Sequence, residues 1–338
     1  LTYTNLNLLI LYGFGMFLVQ LIQRIIKQQY SVKHYTECQI NLKYAKDKKL
    51  IKEIMTFIGW NLFGSIAAMS VKQIRSIILN MFFGVRINAS EGIAVTASNQ
   101  VNTISVNLTR AINPQLVKSE GAGDRKRMLD ITIISTKFSI YLFSIIAIPV
   151  IMELPFLLDV WLKDVPEYAI IFSRLTLISL LLSKFTFEIT TALRAVGRIK
   201  EFQVVETIVL LLNLPFSYIL FKIGYTPEWI YIVAIILSII TSFYRLYIGK
   251  KIANLDIKMF LKKGILPTII PILTALVIGF FIQFYMNQSV ERFIISFTLS
   301  ILSMVLIIRY WGLNEYELNK MKSIIFNIKN KMNAVFRR

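Results

Sequence analysis

Cysteine and histidine are almost missing from this chain of 338 residues, which holds one of each, Cys38 and His34. An internal disulfide, a Cys/His zinc cluster and a Cys–His nucleophile pair are thereby excluded, and neither a metal nor an organic cofactor is expected. Charge is scarce too: 17% of residues are charged and 56% apolar, against roughly 25% and 45–50% in soluble domains. Carboxylates are the rarer sign, with 19 Asp+Glu facing 38 Lys+Arg and a net charge of +19. A soluble protein so basic would point to nucleic acid. With a mean hydropathy of +0.62, the excess apolar surface instead indicates lipid contact, and the basic surplus indicates cytoplasmic loops. Disorder and nucleic-acid binding drop out together.

What is present is a series of long apolar runs. A helix needs about 20 mostly apolar residues to cross a bilayer, and nine stretches qualify, near residues 7–26, 54–83, 92–113, 131–152, 168–191, 203–222, 228–248, 264–285 and 293–310. An all-α polytopic bundle is predicted. The loops test this count independently. Lys43, Lys46, Lys48 and Lys49, then Lys118, Arg125, Lys126 and Arg127, then Arg194, Arg198 and Lys200, then Lys250, Lys251, Lys258, Lys262 and Lys263 fall in every second connection. The intervening connections are not rich in Lys or Arg. That alternation predicts an outside N-terminus and a cytoplasmic C-terminal tail, whose Lys320, Lys322, Lys329, Lys331, Arg337 and Arg338 are placed to lie along the anionic leaflet. Trp161, Trp229, Tyr231, Tyr310 and Trp311 fall near span ends, where amphipathic rings settle. A chain that starts outside, at Leu1 and without a basic leader, reads as one whose upstream residues are missing.

Ionisable groups inside spans are functional candidates by default, because lipid cannot solvate them. In the third span Thr96, Asn99, Thr103, Asn107 and Arg110 share an arc of about 80° at 100° per residue, a continuous polar stripe. The second span carries Lys72 and Arg75 on one face. The fifth is polar on two faces, Arg174, Lys184 and Glu188 on one and Thr176, Ser179, Ser183, Thr186 and Thr190 nearly opposite, which predicts a helix inside the bundle. Lys184 and Glu188 are also spaced to pair. The hydroxyls read as interhelix contacts. Arg110 and Lys137 lie within snorkelling reach of the headgroups, while Arg194 and Arg245 read as interfacial. Cations outnumber carboxylates among these groups, so a water-filled cavity between the spans would attract anions, and phosphate in particular.

Three segments carry a family resemblance. Residues 80–124, NMFFGVRINASEGIAVTASNQVNTISVNLTRAINPQLVKSEGAGD, resemble the opening of the second lobe of polysaccharide exporters and Wzx-type flippases, of the multidrug/oligosaccharidyl-lipid/polysaccharide superfamily. LDVWLKDVPEYAIIFSRLTLI and TTALRAVGRIKEFQVVETIVLLLNLPFSY resemble the outer loop and later helix pair of that lobe. The resemblance implies a multidrug-extrusion-like second lobe with one preceding and two following helices. Residues 1–28 would be the last helix of a first lobe whose other five helices are absent, 29–53 a basic cytoplasmic linker, 54–250 the six-helix second lobe, 251–311 two additional helices and 312–338 a basic cytoplasmic tail.

The function so implied is alternating-access flipping of a polyprenyl-pyrophosphate-linked oligosaccharide, an O-antigen, capsule or exopolysaccharide unit, across the bacterial inner membrane. Lys72, Arg75, Asn99, Thr103, Asn107, Arg110, Arg174 and Lys184 would form the cationic substrate wall, and Glu188 would couple transport to H⁺ or Na⁺. Implied partners are the lipid-linked anionic oligosaccharide, the bilayer and polysaccharide polymerase machinery, with no nucleic acid. A drug/cation antiporter of the same superfamily is the alternative, as is a flippase for a lipid-linked peptidoglycan precursor. The antiporter would place carboxylates in the cavity, and few are present. An enzyme is not expected, since the outer loops are too short and sparsely polar to hold a catalytic centre.

Overall fold

A computed structural model describes residues 8–35, 38, 47–315 and 317–319. Among these the regular structure is all helical: α1 Leu8–His34, α2 Lys48–Phe83, α3 Val85–Gly121, α4 Arg125–Trp161, α5 Ala169–Ala195, α6 Ile199–Ile223, α7 Trp229–Ala253, a short α8 Ile257–Phe260, α9 Leu266–Tyr285 and α10 Val290–Ile307. Two π-helical turns, Leu261–Ile265 and Ile308–Gly312, adjoin α9 and α10. The chain is a multi-pass membrane protein, with eight helices among the described residues long and apolar enough to cross a bilayer. The ninth expected span, α3, has the length, at 37 residues, but its polar stripe leaves it short of the apolarity. Lys43, Lys46 and the tail cations Lys320, Lys322, Lys329, Lys331, Arg337 and Arg338 lie outside the described residues.

Two compact units divide between Ile58 and Gly59. The first contains α1 and the opening of α2, and the expected linker is partly helical, since α1 runs to His34 and α2 begins at Lys48. The side chains of α1 from Ile10 to Gln29 are all exposed. The second unit takes in the last two spans as well.

In the second unit α2 and α3 form a hairpin around Gly84, whose φ of +83° a side chain would strain. Gly123 and Gly197 likewise hold positive φ at the next two turns on the opposite, basic end, and the Asp124 carboxylate caps α4 by accepting from Arg127 N at 3.0 Å. The centre of the unit is α4, packed against α3, α5, α9 and α10. Next to it α5 packs on α3, α4 and α7, the interior position its two polar faces predict. Leu116, Met128, Leu193, Phe202 and Phe260 form a core cluster toward the basic end. Ile78, Leu79, Phe172, Ile230 and Tyr231 form another toward the Gly84 end, and Ile140, Ile148, Ile272 and Met304 tie α9 and α10 to α4. Lipid tails are as apolar as these side chains, so close packing and interhelix hydrogen bonds hold such a bundle together; Ser105 Oγ and Ser139 Oγ, 2.8 Å apart between α3 and α4, are one such bond.

A kink in α4 positions one of the expected site residues. Proline has no N–H and its ring clashes with the carbonyl four residues back, so Pro155 leaves the Ile151 carbonyl without a helical partner and Glu153 in a non-helical conformation. Arg174 of α5 fills the gap, its Nε donating to Ile151 O at 3.2 Å. Gln283 of α9 donates to Met152 O beside it.

Candidate functional site

The stripe of α3 is the candidate site. Its buried face, Ala94, Ser98, Val101, Ser105 and Thr109, packs into the bundle, which turns Thr96, Asn99, Thr103, Asn107 and Arg110 outward, all exposed. From Arg86 to Gln115, Ile104 is the one large apolar side chain among the exposed residues of α3. Thr96 and Thr103 donate to carbonyls of their own helix, Gly92 O and Asn99 O, both at 2.8 Å, so their hydroxyls need no second helix. No carboxylate of α3 is exposed, because Glu91 is buried and Glu120 half-buried.

The neighbouring helix adds Lys72. Ser76 of α2 donates to Asn88 of α3 at 2.7 Å, and Lys72, one turn earlier on the same face of α2, is exposed. The polar face of α3 has Arg110 toward its basic end and amides and hydroxyls along it, with Lys72 on the adjoining helix toward the Gly84 end. Such a surface can take anionic groups at its ends and hydroxyl-rich neutral groups along its length.

The remaining expected cations are not on it. Arg75 turns into the bundle, donating Nε to Glu91 at 2.6 Å and lying 5.1 Å from the Tyr231 ring centroid. Arg174 caps the kinked carbonyl described above. Lys184 is buried, its ammonium over the rings of Phe143 and Phe187 at 5.7 and 5.6 Å. The single cationic wall expected from the sequence is thus divided: Asn99, Thr103, Asn107 and Arg110 share one surface, with Lys72 on the adjoining helix, whereas Arg75, Arg174 and Lys184 serve interhelix contacts.

Glu188 is fully buried and makes no ion pair with Lys184. Its Oε1 accepts from Thr109 of α3 at 2.6 Å, its Oε2 takes no hydrogen bond, and the Ser135 and Thr191 hydroxyls lie near the carboxylate. Three helices therefore meet at this carboxylate, one of them through the inner face of the striped helix.

A second polar region is a cavity of about 390 Å³ between α2, α5, α6 and α7, lined by Ser179, Ser183, Asn213, Arg75, Glu206 and Arg245. Its charges are internally matched. Arg245, expected at the interface, is buried and donates Nε to Glu206 at 2.6 Å; Arg194 is exposed. The hydroxyl face of α5 lines this space and reaches α7, Thr186 to Ser242 at 3.1 Å. Lys137 also departs from expectation: it does not snorkel but is buried against Glu317, 2.6 Å from Oε1.

The partners Glu91, Glu153 and Glu317 were missed by sequence reasoning. Arg75 and Glu91 lie nine residues before and seven after Gly84, so a hairpin folded at that glycine sets them side by side, a signal available once the glycine is read as the turn. Glu153, paired with Arg292 at 2.9 Å across α4 and α10, and Glu317 have no comparable local signal. Comparison of the chain with protein-family models, curated proteins and solved structures finds no match.

Proposed function

We propose that this chain forms one wall of a transporter that flips a polyprenyl-pyrophosphate-linked oligosaccharide across the bacterial inner membrane by alternating access. The observation that carries the proposal is the exposed polar stripe of α3, with Arg110 toward its basic end and Lys72 on the adjoining helix toward the Gly84 end. Polar groups at mid-span face water or protein, not hydrocarbon, so the stripe lines an aqueous path. Arg110, toward the basic end, would hold the pyrophosphate on entry and Lys72, toward the Gly84 end, on exit, with the amides and hydroxyls between them meeting the sugars and the lipid tail staying in the bilayer. Glu188 would bind the coupling H⁺ or Na⁺ at its open Oε2. Its bond to Thr109 ties that event to the helix carrying the stripe, a direct link between ion and substrate.

The test is the K72A/R110A double substitution in the full-length protein, with surface glycan as the readout. Both residues are exposed and make no ion pair among the described residues, so protein levels should hold while export is lost. Undiminished surface glycan at normal protein level would sink the flippase reading. A changed susceptibility to cationic drugs with intact export would favour the drug antiporter.

A further inference from the structure

A cavity of about 720 Å³ lies at the basic end of the second unit, apart from the stripe. Both π-helical turns of the described residues border it, the first supplying Lys262 and Lys263, the second Trp311 and Gly312. π-turns are rare and concentrate at functional sites. The buried Tyr141 of α4 ties the second of them to the start of α9, its hydroxyl lying 3.1 Å from Pro267 O and 3.2 Å from Gly312 O and able to donate to either. A Cβ on residue 312 would clash with that hydroxyl, so glycine is required for the close approach.

The charge of the cavity is equally constructed. Its buried cation, Lys137, is satisfied by Glu317, and Glu317 is itself fixed by a reciprocal cap: Asn314 N donates to Glu317 Oε2 at 3.0 Å and Glu317 N to Asn314 Oδ1 at 2.8 Å. With that pair closed, Arg127, Lys262 and Lys263 remain at the rim, exposed and without an ion pair among the described residues, against one carboxylate, Asp130. Trp311 stands beside them, 63% exposed, as an indole does at the headgroup level.

We infer that this cavity is a binding site for the phosphate of an anionic phospholipid headgroup. A basic pocket between spans at the headgroup level suits that ligand, its volume suits a small organic headgroup, and three unpaired cations match a phosphodiester. The site is independent of what the α3 stripe carries. Glu317 occupies the inner position an anion would otherwise take on Lys137, so the headgroup sits at the rim.

Native mass spectrometry of the full chain, titrated with phosphatidylglycerol or phosphatidylcholine, tests this. Wild type should retain phosphatidylglycerol and not phosphatidylcholine. K262A/K263A, and the milder K262Q/K263Q as a folding safeguard, should weaken phosphatidylglycerol binding by about 30-fold, from the usual contribution of a basic residue near a membrane surface. K250A/K251A, which removes two exposed lysines at the same end but outside the cavity, should leave it unchanged. Equal weakening by both pairs, or equal retention of the two lipids, would overturn the site. Displacement of the lipid by 10 mM inorganic phosphate would overturn the lipid assignment in favour of a free-anion site.

Discussion

Helices α3 and α9 both lie on the periphery of the second unit and both expose one face, yet the two faces have opposite chemistry. That of α9 presents Leu273, Val277, Phe280, Phe281 and Phe284. That of α3 presents Thr96, Asn99, Thr103, Asn107 and Arg110. Exposure alone therefore does not define the lipid boundary. Hydrocarbon accommodates the first face at no cost, while the second would strand amides and a guanidinium away from water. The periphery of this unit has one apolar and one polar side, and the proposed function rests on the second.

The strongest way to break that comparison is to place one charge on each face at similar depth. An arginine at the centre of a lipid-facing helix costs ~2.5–3.5 kcal/mol on insertion scales. L273R should therefore deplete the membrane-inserted protein and lower its thermal midpoint sharply. T103R, in the middle of the stripe, should change stability by no more than about 0.5 kcal/mol, the usual range for a surface substitution. Equal damage from both, read by membrane-fraction yield and melting in detergent, would mean that the α3 stripe is not solvated.

Helix periodicity alone exposes this contrast. The arc from Thr96 to Arg110 is computed from spacing, and the structure turns that arc outward because the small residues opposite it, Ala94, Ser98 and Ser105, pack into the bundle. The spans were similarly legible: α5 falls at Ala169–Ala195 against an expected 168–191, and α7 at Trp229–Ala253 against 228–248. Partners were not. Periodicity says which face of its own helix a residue occupies and nothing about which neighbour covers it. Arg174 reads as a cavity cation until Pro155, on another helix, is seen to free the carbonyl it caps. Lys137 reads as a snorkelling lysine until the chain returns after α10 with Glu317. The same polarity that makes α3 conspicuous leaves it short of the apolarity of the other long helices, yet the span expected at 92–113 falls inside the helix Val85–Gly121.

Thiol chemistry sharpens the comparison residue by residue. The single native cysteine, Cys38, can be replaced by serine, leaving a background for N99C, T103C and N107C on the stripe and L273C and V277C on α9. Maleimides react with the thiolate, which forms in water and not in hydrocarbon. Stripe positions should label with a membrane-impermeant maleimide at least about tenfold faster than the α9 positions. Similar slow rates on both faces would place the stripe in a dry protein contact instead of a path.

The smallest expected effect separates the hydroxyls from the amides within the stripe itself. Thr96 Oγ1 already donates to Gly92 O, 2.8 Å away on its own helix, whereas Asn99 and Asn107 are exposed and make no side-chain hydrogen bond within the protein among the described residues. A hydroxyl satisfied by its own backbone can be removed without stranding a partner across an interface. T96V should therefore leave the melting midpoint within about 0.5 kcal/mol of wild type and reduce glycan export no more than twofold. N99L and N107L should keep that stability and lose export, since their amides are free to meet substrate or water. If T96V impaired export as much as N99L, the whole face would act through its wetness, and the distinction between amides and hydroxyls along the stripe would fall.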